Sequence, residues 1–233
     1  TLQLVNSRWQ GVVEGMYHLH RSLALVNHKN DNCVGLKSLW RDRKRLTRFK
    51  PKFRAPDSTK VTGPKTVLVS ADLVNLLRRL FVNLDTLVID FADTSVQISP
   101  AALMALLNHF KPKLVTLSLN IYDFPASEIA ALCECINSMS NLKHLSLGHY
   151  MLGLNNGKLL RPTLARLVHF SIEPYIVIET TPIHHLGLHC THLWIRYNVN
   201  KEPIDEVLMR SWIRVNPRLF QQLTHLRLGK GGG

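Results

Sequence analysis

The stretch "NLKHLSLGHY", residues 141–150, places Leu142, Leu145 and Leu147 at offsets 0, 3 and 5. No regular helix sustains that spacing, and an ordinary strand would alternate strictly by two. The same pattern recurs along the chain. It starts at Leu84 (LDTLVI), Leu114 (LVTLSL), Leu142 (LKHLSL), Leu167 (LVHFSI), Cys190 (CTHLWI) and Leu223 (LTHLRL), at intervals of 30, 28, 25, 23 and 33 residues. Offsets 3 and 5 lie one strand period apart and face the same way, and offset 0 packs inward where the strand begins. Each unit then needs a return segment to bring the next strand alongside in parallel, and such returns are usually helical.

Motif and interval resemble those of leucine-rich repeats, whose period is about 20–29 residues. The expected fold is therefore α/β: a leucine-rich-repeat solenoid with short parallel strands on a concave face and helices on the convex face. A single unit cannot bury its own apolar side, but a stack can. The third position after the last leucine holds Ala92, Tyr122, Tyr150, Tyr175 and Asn198. Only Asn198 matches the repeat consensus, so an irregular stack is expected.

The segments between copies read as helices. In "ISPAALMALLNHF" (98–110), Ser99 is placed as N-cap and Pro100 as first helical residue. "SADLVNLLRRLF" (70–81) has Ser70 as cap and Leu73, Leu76, Leu77 and Leu80 inward. "PASEIAALCECINSM" (125–139) aligns Ile129, Leu132, Cys133 and Ile136 on one stripe. "EPIDEVLMRSWIRV" (202–215) aligns Ile204, Val207, Leu208, Trp212 and Val215. The units of 25 and 23 residues leave room for little helix. "RSLALVN" (21–27) supplies an earlier strand, with Leu23 and Leu25 in alternation. The last unit stops just after its strand, at Leu228, so the stack is expected to continue or the chain to end early.

The residues between the leucines point away from the core. Just before the second leucine stand Thr86, Thr116, His144, His169, His192 and His225. The next outward position holds Val88, Ser118, Ser146, Ser171, Trp194 and Arg227, and the one after holds Asp90, Asn120, Gly148, Glu173, Arg196 and Gly229. This register places four histidines in one row on neighbouring strands. Like charges facing each other across strands destabilise, so the row should resist full protonation. The row is tolerated on an exposed face, or is a donor-rich rail for an extended or acidic partner, or, as the remaining reading, is a row of metal ligands. Trp194 and Arg196 are residue types enriched at interface hot spots, although Trp194 could instead pack under a loop. The candidate substrate-binding set is thus His144, His169, His192, His225, Trp194 and Arg196.

The net charge of +13 is concentrated: residues 37–65 hold eleven Lys or Arg against two Asp, which accounts for +9. Pro51, Pro56 and Pro64 disfavour helix there, so residues 27–66 are expected to form an exposed basic loop inserted in the repeats. Arg41, Arg43, Lys44 and Arg45 form its densest patch and resemble a nuclear import signal. Interleaved Trp40, Phe49 and Phe53 would also suit an acidic or nucleic-acid contact, but no nucleic-acid-binding motif supports one.

Cys33, Cys133, Cys135 and Cys190 are too few and too scattered for a disulfide framework. They read as reduced thiols, which fits a cytoplasmic or nuclear protein. His184, His185, His189, Cys190 and His192 cluster in "PIHHLGLHCTH". The i, i+4 spacing of His185 and His189 is that of a zinc pair, but Gly187 interrupts the helix and the repeat core claims Cys190, so no metal is expected. With 45% hydrophobic residues a sizeable core is expected. No apolar run reaches the roughly 18–20 residues of a membrane span. The chain starts at Thr1 without a signal-peptide pattern, which points to a processed or truncated terminus. "GLNNGKL" (153–159) is one residue short of a phosphate loop, and neither G-x-S-x-G nor H-E-x-x-H occurs. The chain is expected to be neither an enzyme nor dependent on a cofactor.

At the N-terminus, "LQLVNSRWQGVVEGMYHL" (2–19) carries Leu2, Val5, Asn6 and Trp9. This resembles the second half of an F-box, L-x-x-V-C-x-x-W, with Asn6 where the family usually has Cys and with the front half absent. Residues 1–20 would then be a helical F-box remnant and residues 21–230 the repeat domain. The whole resembles the F-box/leucine-rich-repeat family, which implies a substrate receptor of a cullin–RING ubiquitin ligase. The resemblance implies that Leu4, Val5 and Trp9 belong to the surface for the ligase adaptor and that the repeats hold a protein substrate. The other readings are a capping helix on a repeat scaffold without a ligase link, and a nucleic-acid-associated protein using residues 37–65. Phosphate binding falls steeply with salt, which separates the last from the others.

Overall fold

The computed structural model describes residues 22–28, 33–37, 67–69, 71–91, 96–121, 124–148, 156–172, 182–197 and 206–230. In chain order the elements are β1 (Ser22–His28), β2 (Cys33–Lys37), β3 (Val67–Val69), α1 (Ala71–Leu80), β4 (Thr86–Phe91), β5 (Val96–Ile98), α2 (Pro100–Phe110), β6 (Thr116–Ile121), α3 (Ile129–Asn137), β7 (His144–Leu147), α4 (Asn156–Leu159), α5 (Arg161–Leu164), β8 (His169–Ile172), β9 (His192–Tyr197), α6 (Glu206–Val215), α7 (Pro217–Gln222) and β10 (His225–Lys230). Short 3₁₀ turns occupy Ala126–Glu128 and Pro182–His185.

The architecture is α/β. The six strands that carry the repeated motif, β4 and β6 to β10, lie side by side in chain order, all parallel. The register matches the motif: Leu87, Leu117, Leu145, Phe170, Leu193 and Leu226 align across the sheet, as do Ile89, Leu119, Leu147, Ile172, Ile195 and Leu228. From β4 to β9 both rows are buried, together with Leu84, Leu114, Leu142, Leu167 and Cys190 at offset 0. They form one core with Leu103, Leu106, Leu107, Leu132, Ile136 and Leu164 of the return helices.

Local chemistry sets the helix starts. The Ser99 hydroxyl accepts from Ala102 N at 3.1 Å, with Pro100 opening α2. Asn216 caps α7 the same way, accepting from Leu219 N at 3.3 Å. Its amide also donates to the Ile183 and Leu186 carbonyls, both at 3.2 Å, tying this end of the molecule to the preceding turn. Among the described residues, the returns of the two short units contain the single turns α4 and α5 and the 3₁₀ turn. Gly187 closes that turn against Ala165, where any Cβ would collide with the Ala165 backbone.

Several expectations change. Residues 27–66 do not begin as a loop. Cys33–Lys37 is a strand paired antiparallel to β1, which itself joins the main sheet parallel to β4. The turn-rich residues after β1 are short enough to return the chain as a hairpin. The rest of that segment, with Arg41, Arg43, Lys44 and Arg45, lies outside the described residues, as do Leu4, Val5 and Trp9. β3 and β5 form a separate small parallel sheet that the repeat motif did not anticipate. Cys135, left off the expected stripe of α3, is buried beside Cys133, because α3 also packs sideways on α2, where the Cys135 thiol lies 3.7 Å from Asn108 Oδ1. On α6, Trp212 is buried but Val215, expected inward, is 44% exposed. Val215 is the last residue of the helix, where the chain turns away at Asn216.

Equivalent motif positions therefore differ in energy. Leu145 is 1% exposed and Leu226 is 42% exposed. Leu145→Ala should cost about 2–5 kcal/mol and Leu226→Ala about 1 kcal/mol or less. Urea denaturation of the two variants measures the difference.

Candidate functional site

Strand alternation turns the residues between the leucines onto the face opposite the helices. This open face carries a continuous histidine row. His144 on β7, His169 on β8, His192 on β9 and His225 on β10 are direct register partners. Their backbones are held by one repeated hydrogen bond, in which each histidine N–H donates to a carbonyl at the start of the preceding strand. The acceptors are Val115, Lys143, Val168 and Thr191, at 3.0, 3.1, 3.2 and 3.1 Å. The ring centroids follow one another at 5.8, 5.7 and 4.2 Å. The last two pairs are nearly parallel, with interplanar angles of 11° and 10°. Threonines take the Nδ1 atoms of three of the rings. Thr116 Oγ1 lies 3.3 Å from His144, Thr191 Oγ1 2.9 Å from His192, and Thr224 Oγ1 3.0 Å from His225.

His144, His169 and His192 are half-buried and His225 is exposed. Burial, then the neighbouring charges of His192 and Lys143, lower the pKa of His144 below histidine's ordinary value. Burial, then His144 and His192, do the same for His169. Both causes disfavour the charged ring.

The next row holds Val88, Ser118, Ser146, Ser171 and Trp194, and ends at Arg227. The middle of this row consists of small side chains, with Ser118 and Ser146 half-buried. Ser171 is 2% exposed, and its hydroxyl has no hydrogen-bond partner among the described residues. The Arg227 guanidinium carbon sits 4.4 Å from the centre of the Trp194 ring, a cation–π stack. In the outermost row Asn120 Nδ2 donates to Asp90 Oδ1 at 2.8 Å. The Asn120 side chain lies where Gly148 leaves room, since a Cβ there would collide with it.

The structure thus brings His144, His169, His192, His225 and Trp194 onto one face. Trp194 is half-buried with Arg227 over its ring. Arg196 lies on β9 opposite Gly229, and its side chain is outside the described residues. Arg227 was not singled out from the sequence as a site residue. The signal that finds it is the repeat offset it shares with Trp194.

The second histidine cluster does not converge. His184 and His185 end a 3₁₀ turn, and Cys190 is fully buried in the core. Among the described residues no group of three or more His, Cys, Asp or Glu side chains is arranged to hold a metal. Burial raises the thiols of Cys133 and Cys190 to about 11 each and also raises Cys135, so none is an activated nucleophile. Among the described residues no helix is long and apolar enough to cross a membrane.

Neither a scan against protein-family models nor a search of curated proteins finds a match for this chain.

The lowered His144 and His169 values carry a pH dependence. The unfolded chain takes up protons near histidine's ordinary 6.5, while the folded rings resist until lower pH. Their contribution to stability is therefore complete above that value and is lost as pH falls through the folded-state values. Urea midpoints should fall on acidification from neutral pH. The fall should be smaller in the double variant His144→Gln, His169→Gln.

Proposed function

We propose that this chain is the target-binding part of an F-box/leucine-rich-repeat substrate receptor, a non-catalytic subunit of a cullin–RING ubiquitin ligase. In this reading the motif-bearing strands and their returns are the units of a leucine-rich-repeat solenoid, with the strand face concave. A protein target lies on that face while the ligase transfers ubiquitin to it. The contribution of this chain is positioning, which raises the effective concentration of the target at the transfer site.

The observation that carries the reading is the open face itself. Parallel strands in chain order display one aligned row of histidines beside a row of small side chains that ends at the Trp194–Arg227 stack. Broad, half-exposed and rich in aromatic and cationic groups, this surface suits a protein partner. His144, His169, His192, His225, Trp194 and Arg196 are the proposed contacts. The ligase link rests on Leu2, Val5, Asn6 and Trp9 in the N-terminal sequence, with Leu4, Val5 and Trp9 as the proposed adaptor surface.

Co-precipitation of the full-length gene product tests the link. The ligase adaptor and cullin should be recovered with the wild type and lost with Trp9→Ala. If a folded protein recovers neither, the chain is a repeat scaffold that binds its partner without a ligase.

A further inference from the structure

We propose that the open face docks an acidic, extended protein segment laid across strands β7 to β10, and that protonation of the histidine row strengthens the docking. The inference rests on reading the open face as the docking face and is independent of any ligase link.

The charges on this face are distributed unevenly. Lys143 and His144 lie at β7, His169 on β8, His192 and the Arg196 position on β9, and His225 and Arg227 on β10. None of these four strands contains an Asp or Glu. Among the described residues the carboxylates of this face are Asp85 and Asp90, at the β4 end, with β6 between them and the row; Glu173, which follows β8 at the outermost position, lies outside the described residues. Asp85 and Asp90 each already hold a partner: Asp85 accepts from the Thr86 hydroxyl at 3.0 Å, and Asp90 from Asn120 at 2.8 Å. Among the described residues, the histidine end thus combines Lys143, Arg227 and four protonatable rings with no carboxylate on their strands.

The spacing suits an extended chain. The rings advance in steps of 5.8, 5.7 and 4.2 Å across the strands. An extended segment rises about 3.3 Å per residue, so roughly five residues cover the row, with carboxylates on alternate residues reaching it.

Proton placement makes the row switchable. The Thr224 hydroxyl donates its one proton to the Thr191 carbonyl at 3.1 Å. Its oxygen must then accept from His225 Nδ1–H, at 3.0 Å. Neutral His225 therefore has a bare Nε2, an acceptor that does not attract a carboxylate. Protonation places an N–H on Nε2 and turns it into a charged donor. His192 stacks on this ring at 4.2 Å, so one carboxylate laid over the pair meets both rings. Proton uptake and acidic-segment binding consequently favour each other by linkage.

Fluorescence anisotropy of a labelled peptide of alternating Glu and Ser tests this, with the Gln–Ser peptide as control. Affinity should rise by at least about tenfold between about pH 7.5 and about pH 5.5, since each proton taken up contributes up to roughly tenfold per pH unit. The double variant His169→Gln, His192→Gln should lose that gain while keeping its melting temperature. The double variant His192→Lys, His225→Lys carries fixed charges and should bind tightly already at neutral pH, which decides the matter even if acid unfolds the wild type. Equal binding of the Gln–Ser peptide, a flat pH profile, or no gain from the lysines would overturn the proposal. The Lys and Arg of residues 37–65 do not titrate in this interval, so binding through them would give the flat profile. Failure here leaves recovery of the ligase adaptor unaffected, and failure of that recovery leaves the peptide result standing.

Discussion

Everything in this molecule hangs on in-register pairing of short parallel strands. Because side chains alternate by two along a strand, a single register decides at once which residues enter the core and which line the open face. The hydrogen bonds from each histidine N–H to the start of the preceding strand fix that register from β6 through β10. A slip of one residue on β8 would expose Phe170 and Ile172 and bury His169 against the helices. The lost apolar burial and the cost of burying the imidazole exclude the alternative. The apolar ladder and the polar row are one constraint seen from two sides.

The same register crowds like with like. Rings brought together at 4.2–5.8 Å are stable side by side only while most are neutral. Partial burial and mutual repulsion lower the His144 and His169 values, and threonine hydroxyls hold three of the rings at Nδ1. A histidine row on a face whose acids, among the described residues, sit at the far end is a surface whose charge is set by its surroundings. Folding and docking would then pull in opposite directions on acidification, the fold losing stability as the face gains attraction for carboxylates.

Much of this was legible in the sequence because its signals are local. The offsets of Leu142, Leu145 and Leu147 announce a strand with an inward start, and Ser99-Pro100 announces a helix. The interval between copies then yields the histidine column without any knowledge of coordinates. The hairpin partner β2 was hidden because Val34 and Leu36 sit at the edge of a strongly basic stretch. The pairing of β3 with β5 and the double burial of α3 come from contacts far apart in the chain. The stack of Arg227 on Trp194 joins residues 33 positions apart in sequence.

The amino-acid order alone therefore determined the positions of the motif-bearing strands, their inward and outward sets and the composition of the exposed rows, because each follows from side-chain period within a few residues. Tertiary structure alone decided how far each equivalent position is buried, as the contrast between Leu145 and Leu226 shows. It also decided which ring nitrogen meets which threonine and which cation lies over Trp194. Those outcomes depend on the neighbour that packing supplies, and a repeat motif specifies the position of a side chain but not its company.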